Sequence, residues 1–114
     1  LGYVASFGPW SIYHSGDTVP YEGMVDQLSP WNLDLAILPI NGRTATRDVP
    51  GNLWGREAVQ LAREAGISMV IPCHYDMFTF NTETPDEFLR EAAVTGQPVQ
   101  VLQAGERFSS HQLP

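Results

Sequence analysis

The chain has no lysine at all, a single cysteine, only three histidines, and no apolar run approaching the length of a bilayer span. Each shortage removes a class of function. Six arginines stand against thirteen acidic residues, for a formal net charge of −7. That balance repels a phosphate backbone, so nucleic-acid binding is not expected. The lone Cys73 forbids an internal disulfide, and no charged-then-apolar leader opens the sequence. A reducing, cytoplasmic location is the expectation. Apolar stretches such as Leu35–Leu38 and Met69–Ile71 fall far short of the roughly 20 residues a membrane helix needs, so no membrane partner is expected.

What is present reads as one α/β domain spanning all 114 residues. Residues 2–6 and 11–14 look like two strands joined through Gly8-Pro9. Tyr21, Met24, Val25 and Leu28 follow helical spacing, with Pro20 at the start and Ser29-Pro30 at the stop. Leu33–Ile40 is apolar without alternation in Leu35-Ala36-Ile37-Leu38, as in a strand covered on both faces. A second helix is expected from about Leu53 to Ala65, with Asn52 as N-cap and Gly66 just past its end. Ser68–Pro72 gives another strand. Thr84-Pro85-Asp86-Glu87 has the spacing of a capping box opening a third helix, which ends near Gly96. Val99–Leu102 and a short piece near Phe108 are expected to complete the sheet.

Two segments present chemistry where an apolar run breaks into a polar loop. In Tyr13-His14-Ser15-Gly16-Asp17-Thr18, glycine permits a tight turn that aims the Asp17 carboxylate back over the strand ends. Asp17 is thereby either a metal ligand or a turn residue ahead of the first helix. In Ile71-Pro72-Cys73-His74-Tyr75-Asp76, His74 is either a ligand or a packed loop histidine, and Asp76 stands close enough in sequence to orient it. A carboxylate and an imidazole at two strand ends make half of a metal site.

Other polar residues have weaker claims. His14 reads as a packed neighbour of Asp17, and His111 as a solvated tail residue. Arg43, in the loop after a strand, suits an anionic substrate group or simply a surface position, and Arg47 is a weaker version of the same idea. Asn41 shares that loop and is a second candidate for substrate contact. Trp31, Trp54 and Phe78 either line a cleft or pack helices on the sheet. Cys73 is expected to be a small hydrophobe, not a nucleophile.

These segments, together with Leu38-Pro39-Ile40-Asn41-Gly42-Arg43 and Gln103-Ala104-Gly105-Glu106-Arg107-Phe108, resemble the metallo-β-lactamase superfamily, and within it the branch containing L-ascorbate-6-phosphate lactonase. The resemblance covers nearly the whole chain. It implies the C-terminal half of an αββα sandwich: a mixed sheet with about three helices. It also implies that Asp17 and His74 ligate one or two divalent ions, zinc or manganese, and that His14 and Asp76 lie behind them. In the family the remaining ligands come from an earlier His-x-His-x-Asp-His motif and a further histidine. This sequence contains neither. Because the chain opens at Leu1 and runs at once into a strand-like segment, truncation or processing is expected.

The function so implied is metal-assisted hydrolysis of a lactone, ester or phosphoester by the intact protein, with a small anionic molecule as the expected substrate. Two well-separated ligands bind zinc weakly, so the chain alone is expected to be inactive. The rival expectation is a structural or self-associating module. Its partner would be a second copy or an N-terminal half of the fold on the same or a separate chain.

Overall fold

A computed structural model describes residues 1–114. Strands β1 (Tyr3–Phe7), β2 (Trp10–His14), β3 (Leu35–Pro39) and β4 (Met69–Cys73) form one four-stranded sheet in the order β1-β2-β3-β4. The first two pair as an antiparallel hairpin with Phe7 opposite Trp10. The next two join in parallel, Ile12 opposite Leu35 and Ile37 opposite Ile71. Parallel neighbours need crossovers. Helix α1 (Met24–Leu28) lies in the first and α2 (Gly55–Ala65) in the second, while α3 (Asp86–Thr95) follows β4. The mixed α/β sheet with three helices matches the expected class.

The two sheet faces have different covers. Ala36, Leu38, Val70 and Tyr13 point to the helices and join Leu53, Val59, Leu61 and Phe88 in the main core. Burial of Phe88, which has no exposed surface, stabilises by about 2–3 kcal/mol. On the opposite face Leu35, Met69 and Ile71 pack with Ile12, Ile37 and three residues of the C-terminal segment, Leu102, Phe108 and Leu113. That segment leaves most of β1 uncovered: Tyr3 and Phe7 remain 70% and 61% exposed. No helix is long and apolar enough to cross a membrane.

Four local expectations are corrected. The first helix begins three residues after Tyr21 and holds only five residues; it does stop at Ser29-Pro30, ending at Leu28, and Pro30 sits inside a 3₁₀ turn (Ser29–Trp31) that follows it. Proline suits that place because a first-turn N–H has no helical partner to lose. Trp54, not Asn52, precedes α2, and Glu57 accepts the Trp54 N–H at 2.9 Å, the one half of a capping box open to an indole that has no acceptor to return. The Thr84–Glu87 box does not form, because Glu87 accepts the Arg56 N–H and faces its guanidinium instead. Residues 99–102 form no strand, contributing only a parallel bridge from Val99 to Val70, and the piece near Phe108 does not join the sheet either but packs its ring on the sheet face. Gly66 does close α2.

Candidate metal centre

Asp17 leaves the sheet on a turn fixed at both sides. Gly16 adopts φ 62, and a Cβ there would meet the Leu1 carbonyl at 2.9 Å, so only glycine fits without strain. The Gly16 N–H donates to His14 Nδ1 at 3.0 Å, and the Ser15 N–H to the Ile37 carbonyl at 3.3 Å. His14 is exposed, not packed as expected, and it shapes the Asp17 turn through that one nitrogen. Just beyond Asp17, the Thr18 N–H donates to Asn52 Oδ1 at 2.8 Å.

His74 begins the loop after β4, which lies on the far side of β3 from β2. Its backbone is itself left-handed, φ 61, as is that of Asp76, φ 50. For residues with a Cβ such conformations cost free energy and persist where the surroundings impose them, often at functional sites. His74 Nε2 lies 3.8 Å from Asp17 Oδ1. Zinc–nitrogen and zinc–oxygen bonds of about 2.1 Å at tetrahedral angles put two donor atoms about 3.4 Å apart, so the pair stands close to the spacing of ligands on a shared ion. His74 Nδ1 is buried with no hydrogen-bond partner. Such an atom is costly to leave unmade, by about 1–3 kcal/mol. An imidazole nitrogen beside a carboxylate is a donor set that suits zinc or manganese. No third His, Cys, Asp or Glu joins these two anywhere in the chain.

The remaining candidates are placed as follows. Asp76 is exposed and makes no hydrogen bond to His74; its N–H donates to the Glu83 carbonyl at 3.1 Å and closes the loop. The left-handed turns at residues 74 and 76 separate two side chains that are near in sequence. Arg43 directs both terminal nitrogens at Glu57, at 2.7 and 2.8 Å, and its Nη1 also donates to the Asn52 carbonyl. The hydrogen bond with Glu57 raises the Arg43 pKa and lowers that of Glu57. Arg47 is similarly bound to Glu83, at 2.5 Å, and to the carbonyls of Thr82 and Asn41. Asn41 has no exposed surface, and both ends of its amide are engaged by Asn52 and Asn81. These surroundings make Arg43 and Asn41 parts of the scaffold.

Trp54 stacks between Arg47 and Arg56, whose guanidinium carbons lie 5.7 and 5.8 Å from its ring centroid, which is packing. Trp31 is exposed on the 3₁₀ turn, and Phe78 lies 6.0 Å from the His74 ring, at the mouth of the site. His111 is exposed in the tail. Burial, reinforced by the Asp17 charge, pushes the Cys73 thiol up to about 11, which leaves essentially no thiolate at neutral pH. Asn52 is the residue that spacing misread: a polar side chain between Gly51 and Leu53 looked like a cap, whereas it serves a turn distant in sequence.

Similarity to known proteins agrees with this geometry. Residues 1–75 match the family model of a beta-lactamase superfamily domain. A UPF0173 metal-dependent hydrolase of Rubrobacter xylanophilus is 34% identical over 113 residues, covering 96% of this chain and 44% of that protein. Among solved structures, Igni18, described as a novel metallo hydrolase from Ignicoccus hospitalis, superposes with TM-score 0.74 at 23% identity, over 95% of this chain and 46% of that one. Isothiocyanate hydrolase from Delia radicum gut bacteria gives TM-score 0.79 at 16% identity, with coverages of 95% and 42%. The chain thus spans less than half the length of each of these proteins. With the domain matched over residues 1–75, the chain belongs to the metallo-β-lactamase superfamily.

Proposed function

We propose that Asp17 and His74 are the late ligands of a hydrolytic metal centre whose other ligands lie outside this chain, and that the chain corresponds to the C-terminal half of a lactonase-like αββα sandwich. The observation that carries this reading is the 3.8 Å approach of His74 Nε2 to Asp17 Oδ1 across the carboxyl ends of β2 and β4, which flank β3 in one sheet, with His74 Nδ1 left unpartnered. A bound zinc or manganese ion supplies Lewis acidity and a water acidic enough to attack at neutral pH. The chain's own part is to hold a carboxylate and an imidazole at fixed separation on the rim of the sheet. Asp17, 76% exposed, is the accessible member; His74, 21% exposed, is the anchored one.

The nucleophile is water, since Cys73 stays protonated. Arg43 and Arg47 are committed to Glu57 and Glu83, so neither offers a free fork to an anion beside the pair. That favours a lactone or ester over a phosphoester. The test is metal content and esterase or lactonase activity of the protein at its natural length. Asp17→Ala and His74→Ala should each lower bound zinc and manganese at least tenfold, on the order expected when one of few ligands is removed. Unchanged metal content in both variants would sink the reading.

A second reading has its own observation. Only two donors are present, and Tyr3 and Phe7 leave the β1 edge of the sheet apolar and exposed, as in a module that binds a second copy or a separate N-terminal half. A His-x-His-x-Asp-His segment encoded in frame upstream favours the enzyme. A dimer by light scattering, with no metal bound, favours the module.

A further inference from the structure

The turn that carries Asp17 and the loop that carries His74 are joined by a chain of three side-chain amides, of which Asn52 and Asn41 are buried. Asn52 Oδ1 accepts the Thr18 N–H at 2.8 Å. Asn52 Nδ2 donates to Asn41 Oδ1 at 2.8 Å, and Asn41 Nδ2 donates to Asn81 Oδ1 at 3.1 Å. Asn81 lies in the loop that begins at His74 and is closed by the Asp76 N–H to Glu83 carbonyl bond. Asn41 and Asn52 are 0% and 3% exposed. Burying an amide costs free energy unless its groups are paired, and here each link satisfies the next.

The series is also anchored along its length. The Asn52 N–H donates to the Gly42 carbonyl, and the Gly42 N–H to the Leu53 carbonyl, both at 2.9 Å. Arg47 grips the Asn41 carbonyl together with Thr82 and Glu83, at the far end of the His74 loop. We infer that Asn52 and Asn41 are positioning residues for the metal pair, holding the Asp17 turn and the His74 loop in register without touching the ion. This rests on the metal reading of Asp17 and His74. Two loops on separate strands have no covalent reason to keep a separation of a few ångströms, and the amide relay is the direct tie between them.

The test compares four kinds of variant by calorimetric titration with Zn²⁺ alone, and by amide hydrogen exchange at Thr18 in metal-free protein. Asn52→Ala should weaken Zn²⁺ binding roughly tenfold or more, the usual cost of losing a group that orients a ligand, and should speed Thr18 exchange. Asn81→Ala, at a partly exposed position that tolerates truncation, should weaken Zn²⁺ binding by an amount between wild type and Asn52→Ala. Ile67→Ala, a buried core change past the far end of α2 and at the opposite end of β4 from His74, matched in lost melting temperature, should leave Zn²⁺ affinity and Thr18 exchange at wild-type values.

Zn²⁺ affinity at wild-type level in Asn52→Ala and Asn81→Ala, alongside a loss in Asp17→Ala, overturns the positioning role alone. Equal weakening by Ile67→Ala overturns it too, because general destabilisation then explains the effect. If Asn52→Ala fails to fold, Asn81→Ala decides by the same criterion. Wild-type affinity in Asp17→Ala and His74→Ala is a different result: it removes the metal reading, and this inference with it.

Discussion

Asp17 and His74 reach one place by opposite means. The Asp17 turn places its strained backbone on Gly16, at φ 62, and then secures the neighbouring N–H groups to His14, Ile37 and Asn52. The His74 loop puts the left-handed conformation on the functional residue itself, at φ 61, and leaves His74 Nδ1 unpartnered. One side chain is held cheaply and stays open to solvent; the other is held at a cost and is mostly enclosed. An enclosed, strained imidazole beside an accessible carboxylate suits a site in which one group is fixed and the other adapts to what binds. The difference also says where stability and function conflict: at residue 74, and not at residue 16.

The largest expected effect comes from breaking the cheap side. Gly16→Ala forces a Cβ into the left-handed region and toward the Leu1 carbonyl at 2.9 Å, and should destabilise by about 2 kcal/mol, read as a lower urea midpoint with an unchanged slope. The costly side should respond with the opposite sign. His74→Gly relieves a strain of about 1–2 kcal/mol and removes an unpaired buried nitrogen worth about 1–3 kcal/mol, against about 1 kcal/mol of added chain entropy in the unfolded state. A net gain of about 1 kcal/mol is expected in the metal-free protein, together with loss of metal binding. A destabilised His74→Gly would show that the ring contributes packing that outweighs its strain.

The two sides were also unequally legible in sequence. Gly16 before Asp17 announced its turn, because glycine is the residue that a left-handed turn selects. Nothing in Cys73-His74-Tyr75-Asp76 announced that histidine and aspartate would take that conformation, since the surroundings impose it. The same division runs through the fold. The hairpin, β3, β4 and the end of α2 at Gly66 follow local pattern. The Thr84–Glu87 box failed because Arg56, 31 residues away from Glu87, offered a better partner. Residues 99–102 read as a strand because they are apolar, but one bridge to Val70 is all they make; their apolar side chains pack on the core from an irregular path. Asn52 was taken as a cap because local spacing cannot show a bond to Thr18, 34 residues earlier. Contacts that cross the sheet rim are decided by tertiary packing, and the ligand environment consists mostly of such contacts.

The smallest expected effect sharpens the comparison through pH. The loop that presents Asn52 to the Asp17 turn is braced by Glu57, which takes two hydrogen bonds from Arg43 and one from the Trp54 N–H. The Arg43 bond, opposed by burial and aided by the Trp54 N–H, holds the Glu57 carboxyl below its ordinary 4.5. A carboxyl whose folded pKa is depressed adds stability that is complete above its unfolded pKa and is lost as pH falls through the folded one. Acidification from about pH 6 to about pH 3.5 should therefore lower the melting temperature through this group, and Glu57→Gln should flatten that part of the profile while lowering the plateau at neutral pH. Because Arg43 is more than a third exposed, water screens the pair and the change should be modest. Hydrogen exchange at Thr18 should accelerate over the same acid range in wild type, once corrected for the intrinsic pH dependence of exchange, and should already be faster at neutral pH in Glu57→Gln. A Thr18 amide whose corrected protection ignores both acid and Glu57→Gln would mean that the Asp17 turn is held by its own glycine and local hydrogen bonds, with no help from the loop behind it.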